Sequence, residues 1–112
     1  MLEVDRTEMG DVTVVHLEGN LDALTAPTLK REVEALLSAQ CHKLIFDFAK
    51  LELIDSSGVG AVVSLFKRTR GLRGDARIAR MSGQPAEVFR LLRLDRAFEV
   101  HSDLEQAVRE FG

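Results

Sequence analysis

Apolar residues recur along this chain at two periods, and the places where one period gives way to the other mark its elements. Residues 2–7 alternate weakly, and residues 11–17 (Asp-Val-Thr-Val-Val-His-Leu) are rich in β-branched side chains, so both are predicted strands. Met9, Gly10 and Asp11 between them suit a tight turn, and the two strands are expected to pair as a hairpin. From Thr25 the period changes: Leu29, Val33, Leu36 and Leu37 fall at helical spacing, with Lys30, Arg31, Glu32 and Glu34 on the other face. Thr25 is the predicted cap of this helix, with Pro27 in its first turn. Residues 43–48 (Lys-Leu-Ile-Phe-Asp-Phe) form the nearly continuous apolar run of an interior strand, and residues 51–54 carry the chain on towards a turn.

Asp55, Ser56 and Ser57, followed by Gly58, place three capping residue types before a second helix through Val59, Val62, Val63 and Phe66, expected to end near Gly71 and Gly74. Residues 76–81 read as a strand, Pro85 opens a helix through Val88, Phe89, Leu91 and Leu92, and residues 98–101 read as a last short strand. Ser102 and Glu105 have the spacing of a capping box before a C-terminal helix carrying Leu104, Ala107, Val108 and Phe111. The order is β-β-α-β-α-β-α-β-α. It predicts one α/β domain over residues 1–112: a mixed, mostly parallel sheet with a leading antiparallel hairpin and about four helices. In such sheets the working surface lies beyond the carboxyl ends of the strands. The turns at residues 19–22, 55–58 and 81–84 all fall there.

A chain of 112 residues, 46% hydrophobic and 29% charged, is too small for a multidomain enzyme. It can bury roughly 65% of its unfolded surface, enough for a core without metals or disulfides. Its single cysteine, Cys41, cannot form an internal disulfide. Glu3 and Asp5 stand where a secretory signal would need basic and then apolar residues, and no apolar run approaches the ~20 residues of a membrane span. A cytoplasmic protein with no membrane partner is expected. Net charge is −3, but residues 1–55 hold 5 basic and 11 acidic side chains whereas residues 56–112 hold 10 and 7. With no Trp or Tyr, the basic half lacks stacking residues for single-stranded nucleic acid, so it reads as solvated helix faces with no direct nucleic-acid partner.

Enzymatic chemistry finds little support. His16, His42 and His101 lie in or beside separate strands with no ligand spacing between them, and Cys41 with His42 reads as a buried residue beside an exposed one. The pairs Gly58/Gly60 and Gly71/Gly74 continue into neither a phosphate loop nor a dinucleotide fingerprint. No metal, cofactor or catalytic residue is expected. Asp47 occupies the strand-end position of a phospho-acceptor aspartate, a minor alternative for which Glu18 is the only companion acid available to hold Mg²⁺.

Residues 53–61 are the most informative. One cap needs one residue, so three capping types in a row are surplus, and Gly58 and Gly60 each cost a helix roughly 1 kcal/mol relative to Ala. A serine in a first helical turn is exposed and open to close approach by another backbone. A phosphate there is favoured by the orphan amides and the helix dipole, and adds about −1.5 to −2 charges without melting the helix. Asp55 beside it keeps that phosphate facing outward.

At these residues the chain resembles the STAS domains of bacterial anti-sigma factor antagonists. Gly19-Asn20-Leu21-Asp22 resembles the family's Gly-x-Leu-Asp loop, and Asp55-Ser56-Ser57-Gly58-Val59-Gly60 matches its Asp-Ser-Ser-Gly-x-Gly signature residue for residue. The resemblance implies a protein that binds an anti-sigma factor serine kinase, frees a sigma factor, and is released when the kinase phosphorylates it. It places the phosphate on Ser57, with Ser56 as the positional alternative, and Asp22 on the kinase-facing surface. Asp55, Ser56, Gly58 and Gly60 complete the expected partner-binding set, and a serine phosphatase would reset the switch. ATP and Mg²⁺ would belong to the partner. Related domains serve stress-signalling scaffolds, anion-transporter tails and lipid-transport machinery, so the alternative is a scaffold or interaction subunit that is not phosphorylated. A chain that starts at Met1 and stops just after its last helix is expected to be a stand-alone antagonist.

Overall fold

The β-branched and apolar runs become five strands that lie side by side in chain order: β1 (Leu2–Met9), β2 (Val12–Leu21), β3 (Lys43–Ile54), β4 (Asp75–Ala79) and β5 (Val100–His101). The computed structural model describes residues 1–111. β1 and β2 form the expected antiparallel hairpin, and β2 through β5 are parallel. The helices are α1 (Ala26–Ser38), α2 (Ser56–Gly71), α3 (Gly83–Leu91), α4 (Leu94–Ala97) and α5 (Leu104–Arg109). α4 is the one unexpected element. A single turn of four residues has no period to read, and it is set off by Arg93, whose φ of 59° breaks the chain from α3.

One face of the sheet carries the main core. Val15, Leu17, Leu44, Phe46, Phe48 and Ile78 pack under α1 and α2, with Phe89 of α3 closing the end. Phe66 makes edge-to-face contacts with Phe46 at 5.2 Å and with Phe98 at 4.6 Å between ring centres. The other face is covered only in part: Val12, Val14, Ile45 and Ala79 lie beneath Ala107 of α5. Asp103, not Ser102, caps that helix, its carboxylate accepting from the Glu105 N–H at 3.3 Å, so the capping box is replaced by a local turn.

Beyond α5 the second face turns polar around one buried carboxylate. Asp47 is 3% exposed, yet all its acceptor capacity is engaged. Arg80 donates through Nε at 3.0 Å to one oxygen and through Nη2 to the other, His16 Nδ1 lies at 2.7 Å, and the Ala49 N–H donates at 3.1 Å. His16 Nε2 in turn meets the Thr7 hydroxyl at 3.0 Å, so the network runs from β1 to the end of β4. Burial pushes the Asp47 carboxyl up, but the bonds from Arg80, His16 and Ala49 outweigh it and hold the group below the usual carboxylate range. A carboxylate committed in this way has neither oxygen free for phosphoryl transfer, which counts against the aspartyl alternative. Among the described residues no cluster of His, Cys, Asp or Glu is placed to hold a metal ion, and no helix is long and apolar enough to cross a membrane.

Arg80 also explains why β4 stops at Ala79 rather than continuing to residue 81: its φ of 58° turns the backbone out of the strand and brings its side chain back over Asp47. Asp47→Asn is expected to lower unfolding free energy at pH 7 by about 1–3 kcal/mol. Because the folded-state carboxyl titrates below its unfolded value, its stabilisation is complete above the unfolded pKa and is lost as pH falls through the folded one. The gap between the two proteins in urea unfolding should therefore close as pH is lowered through the carboxylate range.

Candidate functional site

β2 and β3 end in register, Leu21 beside Ile54, and each strand then leaves the sheet through an aspartate. The Asp55 N–H donates to the Leu21 carbonyl at 3.2 Å, which fixes the two exits side by side. In the first exit Asp22 Oδ1 accepts from the N–H groups of Leu24 and Thr25 at 3.0 and 3.1 Å. Thr25 does not cap α1 with its hydroxyl. That hydroxyl accepts from the Asp22 N–H at 2.9 Å and donates to the Asn20 carbonyl at 2.9 Å, closing the turn ahead of the helix. For Asp22, burial works to raise the carboxyl's pKa, but the N–H bonds from Thr25 and Leu24 prevail and lower it, so it stays charged.

In the second exit Asp55, in extended backbone, caps α2: its Oδ1 accepts from the Gly58 N–H at 2.9 Å. The surplus of capping residues is thereby resolved. The carboxylate does the capping, while Ser56 and Ser57 are exposed and, among the described residues, neither hydroxyl has a hydrogen-bond partner. The two glycines separate as well. Gly58 is buried, and a Cβ there would collide with the Leu21 carbonyl oxygen and stand 2.8 Å from Ile54 Cγ1, so it lets α2 rest directly on the strand ends. Gly60 is exposed with nothing within 4 Å of a Cβ, so packing does not account for its cost to the helix.

Asp22, Asp55, Ser56, Ser57 and Gly60 thus lie at one end of the sheet, with Gly58 beneath them. Asp22 and Asp55 line a cavity of about 300 Å³ with Asn20, Leu53 and Gln84. Next to it Ile54, Val59, Val88, Leu91 and Leu92 form an apolar groove of about 270 Å³ with Ser56 on its wall. Leu24, Leu53, Leu91 and Leu92 are 90%, 51%, 72% and 56% exposed. Leu53 lines the first cavity and Leu91 and Leu92 the groove, so exposed apolar surface adjoins the serine turn. Helical spacing alone assigns Leu91 and Leu92 to the core. Leu91, the last residue of α3, stands two positions and so roughly half a turn from Phe89 and faces out, while Leu92 follows the helix as its C-cap; only Pro85 and Phe89 of α3 are buried. The basic residues of α2 lie at its other end, where Arg68 pairs with Glu34 at 3.0 Å and Arg70 with Asp75 at 3.5 Å.

The STAS domain family model matches residues 3–107. The chain is 25% identical over 100 residues, 88% of its length and 83% of the relative's, to a protein of Paenibacillus polymyxa named anti-sigma F factor antagonist. It superposes on an anti-sigma factor antagonist from Mycobacterium paratuberculosis with a TM-score of 0.90 and 20% identity, over 99% of this chain and 94% of that one. The Bacillus cell fate determinant SpoIIAA in its phosphorylated form matches with a TM-score of 0.74 and 20% identity, over 98% of each chain. At these identities the structural likeness is one of fold.

The two glycines should respond oppositely to the same change. Gly60→Ala is expected to stabilise the protein by about 0.5–1 kcal/mol, because the helix gains propensity and the methyl enters open space. Gly58→Ala is expected to destabilise it by about 1–3 kcal/mol, because the backbone oxygen of Leu21 cannot move aside. Denaturant midpoints at constant slope check both.

Proposed function

The chain belongs to the STAS domain family, and on that footing we propose that it is an anti-sigma factor antagonist: a cytoplasmic binding protein, not an enzyme, switched by phosphorylation of Ser57. Its partner is an anti-sigma factor serine kinase, which it occupies so that a sigma factor is freed. The kinase, supplying ATP and Mg²⁺ itself, ends the complex by transferring a phosphate, and a serine phosphatase restores the binding form. One observation carries the reading. Asp55 caps α2 through the Gly58 N–H, which leaves the serines exposed and uncommitted at the start of a sixteen-residue helix.

The geometry favours Ser57 over Ser56. Ser56 forms part of the apolar groove under Leu91 and Leu92, where a phosphate would lose its water, whereas Ser57 is not part of that lining. A phosphate on Ser57 stands in the first turn of a helix, the favoured end for an anion, so the fold accepts it. It also adds about −1.5 to −2 charges beside Asp55 and Asp22, on the surface that a partner must cover. The second reading, a STAS scaffold subunit that is never phosphorylated, is favoured by the leucine patch, since apolar docking needs no switch.

The test is incubation with the serine kinase encoded near it and ATP, followed by intact mass. One phosphate on the parent and none on Ser57→Ala is expected, and a phosphate persisting on Ser57→Ala overturns the assignment. Ser57→Asp is expected to keep its circular dichroism and thermal midpoint while losing roughly tenfold in kinase affinity, about 1.4 kcal/mol. Equal affinity of the two proteins would remove the charge-based switch and leave the scaffold reading.

A further inference from the structure

The last residues of β3 have a strand on one side only. β4 pairs with β3 across Lys43 to Asp47 and then ends, while β3 continues to Ile54. On its other edge β2 follows it all the way to Leu21 beside Ile54. Both polar backbone groups of a strand residue point to the same edge, so Ile54 needs a donor and an acceptor where β4 is missing. A side chain supplies both. Gln84 Oε1 accepts from the Ile54 N–H at 2.8 Å, and Gln84 Nε2 donates to the Ile54 carbonyl at 2.9 Å. Among side chains in their ordinary form at pH 7, a primary amide offers both in this paired arrangement, where a carboxylate only accepts.

Gln84 reaches Ile54 because of the turn that carries it. Arg80 leaves β4 in the left-handed region and is tied to Asp47, and Gly83, φ 61°, then swings the chain into α3 with Gln84 as its second residue. Ile54 immediately precedes Asp55, whose N–H is bonded to Leu21 and whose carboxylate holds the Gly58 N–H. The clamp therefore acts one residue from the cap of α2 and bridges thirty positions of sequence.

We propose that Gln84 is the positioning residue of the serine turn: its amide completes the unpaired end of β3, sets the height of Asp55 against the sheet, and through that cap fixes how Ser57 is presented. The presentation to a kinase rests on the reading of Ser57 as phospho-acceptor; the positioning of the turn does not. Gln84→Met keeps the length of the side chain and removes both bonds. Gln84→Glu keeps the acceptor but sets a carboxylate against the Ile54 carbonyl until it is protonated.

Amide hydrogen exchange on the full chain reads the effect without a partner. In Gln84→Met the Ile54 and Gly58 amides are expected to exchange about tenfold faster, with Val62 and Phe66 in the middle of α2 unchanged. Faster exchange at Ile54 with Gly58 unmoved would overturn the proposal, because the clamp would then stop at Ile54; unchanged Ile54 would overturn it outright. Gln84→Glu is expected to match Gln84→Met at pH 7 and to regain Ile54 protection as pH falls past about 4.3, where the neutral acid both accepts and donates. Protection that stays low across that range would overturn the hydrogen-bond mechanism, since loss of packing does not titrate. With the kinase, Gln84→Met is expected to lower kcat for phosphate transfer about tenfold with little change in KM. Equal kcat values would overturn the presentation step, whereas no phosphate on the parent chain as well would count against Ser57 as acceptor and leave the exchange result standing.

Discussion

Five consecutive buried residues, Leu44 to Phe48, run through the middle of β3, and a strand buried on both faces needs cover on both. Apolar residues meet that need everywhere except at Asp47, where an unpaired carboxylate would cost several kcal/mol. The pairing that removes the cost also shapes the rest of the sheet. To reach Asp47, Arg80 must leave β4 in a left-handed conformation, and β4 therefore stops seven residues short of the end of β3 in the paired register. The exposed tail of β3 that results is what the β4–α3 turn returns to complete. The burial of one acid on one face is thereby linked, through Arg80 and the turn after it, to the Gln84 bonds on Ile54 at the sheet's end.

The same economy governs the start of α2. Had a serine hydroxyl capped the helix, modifying that serine would have removed the cap, and substituting a cap commonly costs ~1 kcal/mol of fold stability. With Asp55 in that role, the cap and the proposed switch are carried by different residues that stand next to each other. The helix can accept a phosphate at its first turn without losing a hydrogen bond. Gly58 and Gly60 divide along the same line: one is required by close packing on Leu21, the other sits in open space on the presented surface.

The order of strands and helices was legible because long alternating or helical runs leave few topologies for a chain of this size. What escaped were choices that depend on backbone geometry rather than residue type. Thr25 and Ser102 are sound capping residues by preference, yet the Thr25 hydroxyl is spent on the turn ahead of α1, and at α5 it is the Asp103 carboxylate that reaches a free amide. Leu91 and Leu92 fit a helical core pattern, but the pattern does not reveal that the buried face of α3 is Pro85 and Phe89, nor that the helix ends at Leu91. Asp47 could be picked out as a polar residue in an apolar run, while its partners, His16 at 31 positions and Arg80 at 33, could not. The serine motif was legible in full as a motif. The amide that holds it was not, since a lone glutamine in a turn carries no signal until the strand it replaces is seen to be missing.

The balance of forces at this surface shows why a single modification is enough for the proposed switch. Leu24 and Leu91 are the two most exposed of the leucines around the turn, and covering each by a partner returns about 1.5–3 kcal/mol. Much of that return is consumed by the lost freedom of association and by ordering side chains, so only a modest net affinity remains. A phosphate on Ser57, one residue from the groove that Ser56 lines, would lose water when a partner covers that groove, and stripping a charge without a partner costs several kcal/mol. Asp22 and Asp55 add repulsion, and neither can pair with it. On the proposed reading the penalty is of the same order as the affinity it opposes, so the apolar patch would supply the attraction and one phosphate at its edge would cancel it.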